Sequence, residues 1–152
     1  MNTRDKSMND RLKFRGMNKG KWYYGGYFKH LPYTPQPIRD SEVPEKDYKH
    51  LIIQDGFSDW GLPRNMICIE IEPETIGQCT GLRDKNGKLI YEGDIIRQPD
   101  GCIGVIVWQG VSYWVESPGS HARDLEHSPY YESVEVIGNV YENPELLEAK
   151  NE

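Results

Sequence analysis

Apolar positions along this chain come in short bursts separated by turn-forming residues. Near the start, Leu12-Lys13-Phe14-Arg15 alternates apolar and basic, the period of a half-buried strand. Asn18-Lys19-Gly20 reads as a turn, and Lys21-Trp22-Tyr23-Tyr24-Gly25-Gly26-Tyr27-Phe28 is aromatic and β-prone. Together they predict an opening hairpin with a bulge or sharp bend at the paired glycines. From Pro32 to Lys49 the prolines Pro32, Pro35, Pro37 and Pro44 remove backbone donors and charges fill the gaps, which predicts a long loop, either functional or poorly ordered. Leu51-Ile52-Ile53 predicts a strand closed by Asp55-Gly56. A turn-rich stretch around Trp60-Gly61-Leu62-Pro63 leads into an apolar strand over 66–71.

The second half is more regular. Asp84-Lys85-Asn86-Gly87 is a strong hairpin signal, because Asn-Gly accepts positive φ at both central positions. Glu92-Gly93-Asp94 turns into a strand, and Asp100-Gly101 turns into the apolar run from Cys102 to Trp108. Gln109-Gly110 turns again into Val111–Val115, and a further strand is predicted within 133–141. Short strands at this spacing suggest a small closed or half-closed barrel. Pro144 followed by acids predicts one or two helical turns at the end. The division that follows is a flexible N-terminus over 1–10, an irregular N-terminal β lobe over 11–74 holding the Pro-rich loop 32–49, a barrel over 75–143, and a short helical or acidic tail over 144–152. The fold class is mainly β.

Composition strengthens this picture, since Gly 15 and Pro 10 favour turns, and Tyr 10 and Trp 4 against Phe 3 suit pleated surfaces. Cys68, Cys79 and Cys102 form an odd set with no CxxC pair, so they are expected to be buried free thiols in a reducing compartment. The first residues lack an apolar signal region and no run approaches a membrane span, so a cytoplasmic location is expected. Net charge is −6, unevenly placed: residues 1–30 hold eight basic residues against Asp5 and Asp10, a balance of +6 that leaves −12 for the remainder.

Chemistry is hard to find. The four histidines form no HxxxH or HExxH spacing, and there is no GxSxG, Walker loop or GxGxxG. His121 and His127 flank a loop with Asp124 and Glu126 that could hold a divalent metal, but scattered loop groups of this kind usually face solvent. Glu92 and Asp94 read first as turn residues and only secondarily as an acid–base pair. Trp108, Tyr113 and Trp114 share one hairpin, where core packing is the ordinary role and a stacking platform the alternative. No catalytic, metal or cofactor-binding residue is assigned, and no cofactor is expected.

The run Thr75-Ile76-Gly77-Gln78-Cys79-Thr80-Gly81-Leu82-Arg83-Asp84-Lys85-Asn86-Gly87-Lys88-Leu89-Ile90-Tyr91-Glu92-Gly93-Asp94-Ile95-Ile96 resembles the signature of the YopX family of phage and prophage proteins. The closing Val136-Ile137-Gly138-Asn139-Val140-Tyr141-Glu142-Asn143-Pro144 and the opening Leu12–Arg15 with Trp22-Tyr23-Tyr24 resemble the family's ends. Cys79 stands where the family commonly has another residue. The resemblance implies a largely β fold with an SH3-like barrel portion, a mobile-element origin and self-association, and implies no catalytic residues. Within the signature, Gly81, Asp84, Gly87, Gly93, Asp94 and, near the end, Gly138 are expected to be structural turn residues.

A non-enzymatic, self-associating interaction or assembly protein is the leading expectation, the basic start of one subunit meeting the acidic body of another. A nucleic-acid-binding accessory protein is the alternative, using the basic and aromatic opening hairpin through Lys13, Arg15, Lys21, Trp22 and Tyr24. A carboxylate-dependent enzyme is a distant third. The expected partners are further copies of the chain, with nucleic acid or a host or phage protein as alternatives, and no membrane.

Overall fold

The computed structural model describes residues 9–33, 43–125 and 131–148. Residues 1–8 of the expected flexible N-terminus, residues 34–42 of the Pro-rich loop, the acidic end of the tail, and Glu126 and His127 of the suggested metal loop lie outside the described residues. Asp10, placed in the flexible segment by the sequence, is instead buried and ion-paired with Arg83 at 3.1 Å. The protein is mainly β, with antiparallel sheets and a few short helices. It divides into two compact units, Leu12–Ile76 and a second made of the residues up to Arg11 with Gly77 onward.

The N-terminal unit is built from β1 (Phe14–Asn18), β2 (Lys21–His30), β3 (Lys49–Asp55) and β4 (Met66–Glu70), joined as an antiparallel meander. The first turn takes the left-handed backbone at Lys19 and Gly20, φ 50° and 76°, as a two-residue hairpin turn requires. Of the bulge or sharp bend expected at the paired glycines of β2, no bulge is found. Instead β2 pairs with β1 through Lys21–Gly25 and with β3 through Gly26–His30. Gly25 is needed for close approach: a Cβ there would lie 2.2 Å from the Ile53 carbonyl oxygen, whereas at Gly26 the same oxygen would be 3.9 Å away. One sheet face packs Phe14 on Tyr27, whose hydroxyl is hydrogen-bonded to His50 Nδ1 at 2.7 Å, around the fully buried Ile52.

The C-terminal unit holds the hairpin of β5 (Gly77–Arg83) and β6 (Leu89–Tyr91), and a five-stranded antiparallel sheet. That sheet has the order β10-β9-β8-β7-β11, where β7 is Asp94–Arg97, β8 Ile103–Gln109, β9 Ser112–Glu116, β10 Arg123–Asp124 and β11 Glu135–Asn139. No closed barrel is found among the described residues. The sheet ends at β10, only two residues long, and at β11, where the register shifts between Val136 and Gly138. The core is aliphatic, with Ile90, Ile96, Ile106, Val115, Leu125 and Val134 packed together. A short helix, α1 (Glu145–Glu148), follows Pro144. Among the described residues, no helix is long and apolar enough to cross a membrane.

Asp84 fastens the β5–β6 turn to β11. Its Oδ1 accepts the N–H of Asn86 and of Lys88, both at 2.9 Å, and its Oδ2 accepts the N–H of Val136 at 3.0 Å. Burial works against its charge, but the three amides outweigh it and hold the carboxyl below the usual aspartate range. Gly81, Gly87 and Gly93 take φ of 80°, 81° and 85°, the left-handed region that glycine enters without penalty. The buried Asp94 accepts the Tyr91 N–H at 2.8 Å, closing the turn into β7. A Cβ at Gly138 would fall 2.6 Å from Asn143 Oδ1, so this position too is fixed by close approach.

Candidate interaction surfaces

Three surfaces could meet a partner, and the loop between β3 and β4 is the most exposed. Gly56 N–H donates to the Asn65 carbonyl at 2.7 Å and closes the loop at its base. Leu62 N–H donates to the Asp59 carbonyl at 3.2 Å, and Gly61 takes φ 76°, so the tip is a hydrogen-bonded turn. This frame holds three large apolar side chains out of the protein: Phe57 is 94% exposed, Trp60 103% and Leu62 61%. Met66 and Ile67 at the start of β4 are exposed as well. Scattered single apolar residues on a surface need no explanation, but three on one short loop, a fully exposed tryptophan among them, make this loop a candidate docking surface. The sequence predicts only turns here. Its Trp-Gly-Leu-Pro run is the available signal, and nothing in it tells an inward from an outward tryptophan.

The opening hairpin is the second surface. Lys13 and Lys21 are exposed, Tyr24 is half-exposed and Trp22 partly buried. Arg15 is 4% exposed, its guanidinium 4.7 Å from the centroid of the Trp22 ring. It therefore does not stand on the solvated face where the alternation placed it. Lys21 lies over the Tyr23 ring at 5.3 Å, so both cations engage aromatic rings of their own hairpin.

The β8–β9 hairpin bounds the third surface, a cleft of about 190 Å3 in the C-terminal unit. Trp108 sits directly opposite Tyr113, with ring centroids 4.8 Å apart in an edge-on arrangement. Core packing does not absorb this pair wholly, since Trp108 is 49% exposed and the core beneath is aliphatic. Val111 at the hairpin tip is 90% exposed. The Tyr113 hydroxyl is pushed up to about 12 by burial, then by the nearby Glu92 and Cys79, with Arg11 opposing. Glu92 is itself raised by burial, against hydrogen bonds from the Gln78 and Trp108 backbone.

A carboxyl raised in the folded state binds more protons than in the unfolded chain, so it costs stability once the pH is above its ordinary range, and nothing below it. Glu92→Gln, which keeps an accepting oxygen, should therefore raise the melting temperature at pH 7 and leave it unchanged near pH 3. An equal effect at both values would show that the charge is irrelevant.

Of the three thiols, Cys79 is buried, Cys102 intermediate and Cys68 exposed, so the expectation of buried thiols fails at Cys68 on β4. Among the described residues, no group of three or more His, Cys, Asp and Glu side chains could hold a metal ion.

A family model described as "YopX protein" matches residues 13–148, reaching into both units. The chain belongs to the YopX family. Among solved structures, one similar chain is titled "Crystal structure of protein EF1440 from Enterococcus faecalis". It is 24% identical, with a TM-score of 0.50, over 89% of this chain and 96% of that one. This YopX chain thus shares its fold with that protein across most of both lengths, and the likeness speaks to fold alone. No curated protein matches it.

Proposed function

We propose that this YopX-family chain is a phage- or prophage-encoded, non-enzymatic interaction protein that assembles with copies of itself. The observation that carries this reading is the β3–β4 loop, which holds Phe57, Trp60 and Leu62 in water on a hydrogen-bonded frame. Burying such side chains gains on the order of 2–3 kcal/mol each. A frame already set before binding loses little entropy on docking. The charge layout adds an electrostatic part, with +6 in residues 1–30 and −12 in the remainder.

The test is the molar mass in solution, by light scattering at micromolar concentration in low and high salt. Assembly at low salt, weakening as salt screens the charges, is expected. A monomer in both buffers would sink the reading. Should the monomer instead bind fluorescent single-stranded DNA or RNA in a salt-sensitive way, the exposed Lys13, Lys21 and Tyr24 become the surface to mutate.

A further inference from the structure

We propose that the cleft beside the β8–β9 hairpin is the socket for Trp60 of a second copy of this chain, an inference that rests on the self-association reading above. Three observations converge on it.

The first is chemistry. Three polar side chains of the cleft wall are engaged within the protein: Thr80 Oγ1 donates to the Ile90 carbonyl at 2.8 Å, Gln78 Nε2 to the Arg11 carbonyl at 2.9 Å, and Ser112 Oγ to Asp124 at 3.2 Å. What the cleft offers an occupant is the aromatic and aliphatic surface of Leu82, Trp108, Val111 and Tyr113. It asks for an apolar ring, not for a polar metabolite.

The second is size. At about 190 Å3 the cleft falls below the roughly 300–1,000 Å3 of pockets that hold drug-sized ligands. A single inserted side chain is the occupant that suits it, and tryptophan is among the residues enriched as such anchors.

The third is complementarity. The protein itself supplies a fully exposed aromatic side chain, at Trp60. Its neighbour Asp59 is exposed and acidic, and the rim of the cleft carries the exposed, basic Arg11. Ring into cleft and Asp59 toward Arg11 satisfy both at once, and realise locally the meeting of a basic start with an acidic body. Each subunit then carries one knob and one socket on different units of its fold, so the contact joins unlike surfaces.

The experiment is complementation by sedimentation velocity, with circular dichroism confirming that each variant is folded. Trp60→Ala removes the knob and leaves the socket. Val111→Glu, at an exposed hairpin tip, puts a charge in the socket mouth and leaves the knob. Each variant alone should assemble at least about tenfold more weakly than the unmodified protein. Mixed together, they should form one-to-one complexes, since one supplies the knob and the other the socket. If the unmodified protein assembles and Val111→Glu assembles equally well, or the mixture stays monomeric, the socket is elsewhere and self-association stands. If the unmodified protein is monomeric throughout, both readings fall together.

Discussion

Gly25→Ala is expected to lower the melting temperature by on the order of 10 °C, while Gly26→Ala beside it shifts it by no more than about 3 °C. The contrast isolates sterics from composition, because both substitutions replace a β2 glycine by the same residue. At Gly25 the new methyl would meet the Ile53 carbonyl oxygen at 2.2 Å. That oxygen belongs to β3 and can retreat only by prising β3 from β2, so overpacking of about 3 kcal/mol or more follows. At Gly26 the corresponding separation of 3.9 Å is ordinary contact. Thermal unfolding followed at a signal from the N-terminal unit measures both. Equal melting temperatures for the two variants would remove the close approach from the account.

Asp84→Ala should cost about 4 kcal/mol in the C-terminal unit, the largest loss expected from any polar substitution there. The carboxylate serves Asn86, Lys88 and Val136 at 2.9, 2.9 and 3.0 Å, and alanine would strip the partner from all three amides at once. Asp84→Asn should recover only part of the loss, because its single carbonyl oxygen cannot stand in for both carboxylate oxygens. The pH dependence follows from the depressed carboxyl. Its contribution is complete above the ordinary aspartate range, near about 3.9, and disappears as the pH falls through the lower native value. Urea unfolding of the three proteins at pH 7 and near pH 2 checks this, and the gap between the unmodified protein and Asp84→Asn should close in acid. A gap that persists at pH 2 would mean that the ionised carboxylate contributes nothing.

These two positions also show what a single sequence discloses. The turn at Asp84–Gly87 is legible in place but not in type: Gly87 takes φ 81°, whereas Asn86 does not take the positive φ expected of it, because Gly87 N–H donates to the Asp84 carbonyl at 2.9 Å and puts Lys85 and Asn86 at the centre of the turn. The reach of the same carboxylate to Val136, 52 residues on, has no local signal. Gly25-Gly26 is the converse case. The sequence suggests a defect in the strand, but the cause is the backbone of β3, some 28 residues away, and only the pairing register exposes it. That no closed barrel is found among the described residues has a related reason. Strand count and turn spacing are written locally, whereas closure depends on edge pairing, and β10 is two residues long.

The interaction surfaces are less legible than the fold. Alternation puts Lys13 and Arg15 on one solvated face, yet Arg15 is buried against Trp22 while Lys13 is exposed. A guanidinium stacks on an aromatic ring as readily as it faces water, and sequence period does not distinguish the two. Trp60 escapes notice for a similar reason: apolar residues in loops fold inward more often than outward, and only coordinates reveal the exception. The β8–β9 hairpin with its Trp108–Tyr113 pair is visible from turn and aromatic pattern, but its half-exposure is not, because the core beneath is filled by isoleucine, leucine and valine, Ile106 and Val115 of the hairpin itself among them.

If exposed apolar groups of the β3–β4 loop drive assembly, removing them should leave a monomer, and the solution mass of a loop variant reads this out. Phe57→Ser, Trp60→Ala and Leu62→Ser combined leave the Gly56–Asn65 closure and both cores untouched. At the same micromolar concentration and low salt, the unmodified protein should be an oligomer and the triple variant a folded monomer. An oligomer of unchanged mass in the triple variant would contradict that role for the loop.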